Sequence, residues 1–158
     1  MLMDPHGADR SRTRTRPSLP RVDAARAHVL IVDDEAALRD VLRTVLRARF
    51  DVSVAEHGGE AMRVIEANDA DIDLVLSDVR MPWVHGVELH RGLVARQHPL
   101  AQRFVWMTGG GLSEALRRYV SATGLPVIDK PFRLDELESM LARLTAPDDA
   151  APPDASAG

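Results

Sequence analysis

The sequence contains no cysteine, which excludes a disulfide framework, a thiol nucleophile and a thiolate metal site. It also lacks any apolar run long enough to span a bilayer, and residues 1–10 have none of the apolar stretch of a secretion signal. A cytoplasmic protein is the simplest expectation. Charge of one sign is not in excess either: 20 Lys and Arg against 24 Asp and Glu give a formal net charge of -4, too small to name a partner. His6, His28, His57, His85, His90 and His98 are scattered without a metal-ligand pair at helical spacing, so no zinc site is expected.

What is present is a chain of 158 residues, 45% hydrophobic and 28% charged, which suits one globular domain with tails. Residues 1–26 form a basic arm, with Arg10, Arg12, Arg14, Arg16 and Arg21 set among Ser, Thr and Pro. So few apolar residues predict disorder. Such an arm could touch an anionic surface, but a solvated tail is the simpler reading and we do not expect nucleic-acid binding. The stretch 146–158, rich in Ala, Pro and Asp, is expected to be a second disordered tail, leaving 27–145 to fold.

The folded region alternates apolar runs with helical periodicity. Val29, Leu30, Ile31 and Val32 read as a buried strand closed by Asp33, Asp34 and Glu35. Leu38, Val41, Leu42, Val45 and Leu46 then recur at helical spacing, so one stripe should face a sheet. Residues 50–55 alternate Val52 and Val54 with polar neighbours, which suits a strand nearer an edge, and a helix over about 60–67 follows. Leu74, Val75 and Leu76 read as a strand buried on both faces that delivers Asp78 at its exit, before Pro82 breaks the chain. A helix over about 87–97, a strand over 104–107 and a helix with Leu112, Ala115, Leu116, Tyr119 and Val120 come next. A last strand over 125–128 and a helix over 134–144, burying Leu137, Met140, Leu141 and Leu144, complete the pattern. Strands alternating with helices in this way predict an α/β doubly wound sheet of five parallel strands flanked by five helices, with no second domain.

Ligands of such sheets bind beyond the carboxyl ends of the strands. The residues leaving the strands there are Asp33 with Asp34, Asp78, Thr108 and Lys130. Individually they are weak signals, since an Asp after a strand often only starts a turn or caps a helix. Together they converge. Carboxylates gathered at that edge would repel one another by about 4 kcal/mol per close pair at an effective dielectric near 20, so they need a cation. An all-oxygen set points to Mg2+ or Mn2+. A carboxylate beside such a metal can attack phosphorus, with Thr108 and Lys130 serving the phosphoryl oxygens, which is a parts list for phosphoryl transfer.

On these residues the chain resembles a response-regulator receiver domain of two-component signalling. The resemblance rests on 29–35 (VLIVDDE), 74–82 (LVLSDVRMP) with Gly86 downstream, Thr108 followed by the small Gly109, and 130–132 (KPF). It implies a flavodoxin-like strand order of 2-1-3-4-5. It further implies that Asp78 receives a phosphoryl group from the phosphohistidine of a sensor histidine kinase or a histidine phosphotransfer protein. Asp34, Asp78 and the backbone carbonyl of Arg80 would hold Mg2+ or Mn2+, with Asp33 acting largely through water. Lys130 would pair with Asp78 or its phosphate, Thr108 would move toward the phosphoryl group, and the bond from Lys130 to Pro131 would be cis. A stand-alone module is expected, catalysing only its own phosphorylation and dephosphorylation and signalling through a downstream protein target.

Two departures stand out. Val127 occupies the place, three before the lysine, where the family usually has a Phe or Tyr whose rotation reports phosphorylation. Arg80 and Gly110 occupy positions that in the family tune dephosphorylation, which leaves the phosphoryl lifetime open. The competing readings are an Asp-nucleophile, Mg-dependent phosphatase and a receiver-like scaffold that is never phosphorylated. The first normally carries a second acid two residues after its nucleophile, where this chain has Arg80, and the intact acids argue against the second.

Overall fold

Helices cover both faces of a single parallel sheet, which is why its inner strands read as unbroken apolar runs rather than as alternations. A computed structural model of the chain describes residues 26–68, 71–81 and 85–147. The rest of the basic arm, the tail from 148 onward, and Pro82 in the loop after the central strand lie outside the described residues. Among the described residues the strands are β1 (His28–Val32), β2 (Asp51–Ala55), β3 (Leu74–Asp78), β4 (Phe104–Thr108) and β5 (Val127–Asp129). The helices are α1 (Ala36–Leu46), α2 (Gly58–Ala67), α3 (Gly86–Ala95), α4 (Glu114–Thr123) and α5 (Leu134–Leu144). All strand pairs are parallel in the order β2-β1-β3-β4-β5, as expected. The chain reverses its direction of travel across the sheet between β1 and β3, so a crevice opens beyond the carboxyl ends of those strands.

Side-chain alternation divides the core in two. Leu30, Val32, Val75, Phe104 and Trp106 pack with Ile65 of α2, Leu93 of α3 and Val120 of α4. Val29, Ile31, Leu76, Met107 and Ile128 pack with Leu42 and Leu46 of α1 and Leu137 and Leu141 of α5. Each fully buried Leu or Ile stabilises the fold by about 1.5–3 kcal/mol, so the strand ends project from a rigid base.

Several boundaries differ from the sequence expectation for identifiable reasons. α2 begins at Gly58 because His57 caps it: its Nδ1 accepts from the Glu60 N–H at 3.0 Å, while Glu60 Oε2 accepts from the Glu56 N–H at 2.7 Å. β5 is shorter than expected, since it is an edge strand paired with β4 only over Trp106 to Thr108. α3 stops at Ala95, two residues before Gln97 takes a φ of 52°, and a short 3-10 helix at Pro99–Ala101 leads into β4. Val41 and Leu144 fit the helical period yet are 46% and 43% exposed, so the stripes of α1 and α5 that meet the sheet are narrower than the apolar pattern suggests. Among the described residues no helix is long and apolar enough to cross a membrane.

Candidate functional site

The pairing of Val32 with Ser77 sets the first residue after β1 beside the last residue of β3. Asp33, Asp34 and Asp78 there offer carboxylate oxygens that all lie within 4.8 Å of one another. Asp33 is fully buried and both of its oxygens are engaged: Oδ1 accepts from the Glu35 N–H at 2.8 Å and Oδ2 from Lys130 Nζ at 2.6 Å. Its backbone carbonyl accepts from Arg39 Nη1 at 2.6 Å, which ties the turn to α1. Lys130 Nζ also reaches Asp78 Oδ2, at 3.3 Å. Asp34 is exposed, and the Asp78 side chain is 13% exposed.

Glycine builds the next wall. A Cβ on Gly86 would stand 2.0 Å from the Asp78 carbonyl oxygen and 2.7 Å from Ser77 Oγ, so α3 starts against the backbone of Asp78 only because that position has no side chain. The Gly86 N–H donates to the Val79 carbonyl at 3.1 Å, and Ser77 Oγ donates to the Asp78 carbonyl at 2.9 Å. Between them Arg80 lies at the rim. Its N–H donates to Asp78 Oδ1 at 3.4 Å, and its Nη1 reaches across to the Gly111 carbonyl at 3.4 Å.

Thr108 ends β4 one residue beyond Met107, the register partner of Asp78. Its hydroxyl donates to Asp129 Oδ1 at 2.6 Å, and its carbonyl accepts from the Lys130 N–H at 2.6 Å. The Lys130–Pro131 peptide is cis. Val127, 42% exposed, lines a cavity of about 430 Å³ together with Thr108, Gly109, Asp129 and Val120 of α4. A Cβ on Gly109 would meet nothing within 4 Å, so crowding does not explain a glycine there.

Burial pushes the Asp78 carboxyl above its ordinary value; Lys130 opposes the shift and the negative charge of Asp33 adds to it. Burial also works against the Lys130 ammonium. The hydrogen bond to Asp33 and the charges of Asp78 and Asp33 outweigh that, and its pKa is raised. One ammonium beside three carboxylates leaves the cluster net negative. Opposite ligands of an octahedral Mg2+ stand about 4 Å apart, so oxygens already within 4.8 Å of one another need little movement to share one ion. The donor set, oxygen without His or Cys, fits Mg2+ or Mn2+.

A family model described as the response regulator receiver domain matches residues 29–142. The chain belongs to that family. This receiver is 31% identical over 118 residues to the transcriptional regulatory protein FixJ of Bradyrhizobium diazoefficiens, a match covering 73% of this chain and 55% of FixJ. It is 31% identical over 106 residues to the chemotaxis protein CheY of Halobacterium salinarum, covering 66% of this chain and 85% of that protein. The solved structure of the chemotaxis protein CheY4 of Vibrio cholerae matches it with a TM-score of 0.65 at 27% identity, over 76% of this chain and 99% of that one. The chain thus spans about half the length of FixJ and most of CheY.

Of the residues singled out in the sequence, the receiver fold brings Asp33, Asp34, Asp78 and Lys130 into direct proximity. Thr108 shares their edge of the sheet but spends its hydroxyl proton on Asp129. Sequence reasoning missed Asp129 and Arg39. Asp129 could have been found from register, since the β4–β5 ladder sets it opposite Thr108. It also missed His90, which is buried on α3 with its Nδ1 2.8 Å from the Tyr119 hydroxyl and its Nε2 2.9 Å from the Ala101 carbonyl.

Proposed function

We propose that this receiver takes a phosphoryl group onto Asp78 from the phosphohistidine of a sensor histidine kinase or a histidine phosphotransfer protein. It then signals by contact with a downstream protein. The supporting observation is the shared ammonium: Lys130 bridges Asp33 and Asp78 while Asp34 completes a net negative oxygen cluster.

Three observations support Asp78 as the nucleophile among the three acids. Both oxygens of Asp33 are occupied and buried, and Asp34 is the exposed acid that Lys130 does not bridge, whereas Asp78 Oδ1 meets only the long 3.4 Å contact from Arg80. In the transfer, an Asp78 oxygen forms a bond to phosphorus as the phosphorus–nitrogen bond breaks, and the electron pair departs with the imidazole. Lys130 neutralises charge on one phosphoryl oxygen and the Thr108 hydroxyl donates to another. Asp34, Asp78 and the Arg80 carbonyl would hold Mg2+ or Mn2+, with Asp33 acting through water, and the ion would supply charge neutralisation. The receiver catalyses only its own phosphorylation and dephosphorylation. Arg80, two residues after Asp78, stands where an Asp-nucleophile phosphatase carries its second acid.

The test is intact-mass measurement after incubation with Mg2+ and acetyl phosphate. One phosphoryl adduct is expected in the wild type and none in Asp78→Asn; an undiminished adduct in that variant overturns the assignment.

A further inference from the structure

Thr108 and Asp129 are register partners across the β4–β5 ladder, and the Thr108 hydroxyl donates to Asp129 Oδ1 at 2.6 Å. A threonine hydroxyl carries one proton, so it cannot donate to Asp129 and to a phosphoryl oxygen at the same time. Hydrogen bonds to an ionised carboxylate belong to the stronger class. Asp129 is therefore a competitor for the very proton that phosphorylation of Asp78 would recruit.

The surroundings give this competition an outlet. Thr108, Val127 and Asp129 line the cavity of about 430 Å³ together with the glycine run 109–111 and Val120 of α4. Val127 has no ring to fill that space or to follow the movement of Thr108. Asp129 is exposed, so its carboxylate returns to water at small cost once Thr108 leaves it. The neighbouring Lys130 side chain is committed to Asp33 and Asp78, and both residues reach the site from adjacent positions on one strand end.

We propose that Asp129 is a positioning residue: it holds the Thr108 hydroxyl in the resting receiver and sets the threshold that a phosphoryl group on Asp78 must overcome. This rests on the phosphoacceptor reading above. Release of Thr108 carries the 109–111 loop with it, so the output surface changes through a loop and not through a rotating aromatic. Asp129 touches no reacting atom in this scheme; it acts through Thr108 alone.

The experiment titrates the full chain with beryllofluoride, a mimic of the phosphoryl group, in saturating Mg2+, and follows binding by calorimetry and the amide resonances of residues 109–111. Asp129→Ala is expected to bind beryllofluoride roughly tenfold more tightly than wild type, equivalent to about 1.4 kcal/mol. Asp129→Asn, whose side-chain oxygen still accepts a weaker hydrogen bond, should fall between the two, and it serves as the reporter if circular dichroism shows that Asp129→Ala does not fold. In a Thr108→Val background, which lacks the hydroxyl, Asp129→Ala and Asp129→Asn should change nothing. Unaltered affinity in the Asp129 variants, or an equal gain in the Thr108→Val background, overturns the proposal while leaving the phosphoacceptor reading intact. Failure of the wild type to bind beryllofluoride overturns both.

Discussion

The Lys130 ammonium donates to Asp33 Oδ2 at 2.6 Å and so joins the ends of two strands separated by 97 positions of chain. Asp33 is fully buried, and a buried charge stripped of its partner is strongly destabilising. Lys130 is thus a strut of the fold as well as a partner of Asp78. Lys130→Ala should lower stability by about 2 kcal/mol, less than for a fully buried pair because the lysine is partly exposed. Urea unfolding measures this, and added Mg2+ should recover part of the loss by taking over the neutralisation of the acids.

Asp78 should cost the fold stability. Its carboxyl is held above the ordinary value, chiefly by burial, so the folded chain binds more protons than the unfolded one at pH values between 3.8 and that raised pKa. Stability from this group therefore falls as pH rises through that window, and the full cost is present once the raised pKa is passed. Thermal unfolding of Asp78→Asn at pH 7 should give a Tm a few degrees above wild type, and the difference should vanish below about pH 3.8.

Gly86 is set by steric demand. Gly86→Ala drives a methyl group to 2.0 Å from the Asp78 carbonyl, and backbone cannot swing aside as a flexible side chain can. A loss of about 2–3 kcal/mol is expected, with slower formation of the phosphoryl adduct because Asp78 itself is displaced. An alanine variant as stable and as reactive as wild type would count against the close approach.

His90 gives the fold an acid sensitivity outside the site. Burial pushes its pKa below 6.5, while the hydrogen bond to the Ala101 carbonyl opposes the shift. Its Tyr119 partner is held above its own usual value by burial, with Arg91 over the ring at 4.6 Å opposing, so the tyrosine does not titrate in this range. The unfolded chain binds more protons than the folded one just below pH 6.5, and stability from His90 falls as pH drops. His90→Phe should cost about 2–3 kcal/mol at pH 7 by stranding the Ala101 carbonyl and the Tyr119 hydroxyl. That deficit should narrow on acidification, as denaturant titrations at pH 7 and pH 5 would show.

The acids and Lys130 were legible because a buried parallel strand is a continuous apolar run, and the first one or two polar residues after it emerge at the carboxyl edge. Asp33, Asp78 and Lys130 announce themselves in this way. Thr108 did so only in part, because a strand-end position fixes the edge but not the partner, and register decides that its hydroxyl meets Asp129. Gly86 was marked by the resemblance alone, and why it must be glycine was not legible: a Cβ there would stand 2.0 Å from the Asp78 carbonyl oxygen, a closeness of α3 to β3 that no periodicity encodes. Val41 and Leu144 mark the same limit, since helical spacing identifies an apolar stripe but not how much of it the sheet covers.

The most direct measurement locates the modified atom group itself. The receiver is phosphorylated with phosphoramidate in Mg2+, whose phosphorus–nitrogen bond resembles that of phosphohistidine, and is then treated with borohydride, which reduces an acyl phosphate to the corresponding alcohol. Trypsin separates the candidates, because Asp33 and Asp34 fall in peptide 27–39 and Asp78 in peptide 64–80. Homoserine at position 78, found by fragmenting peptide 64–80 and absent without Mg2+, is the predicted result. Homoserine in peptide 27–39 with Asp78 untouched would contradict the account.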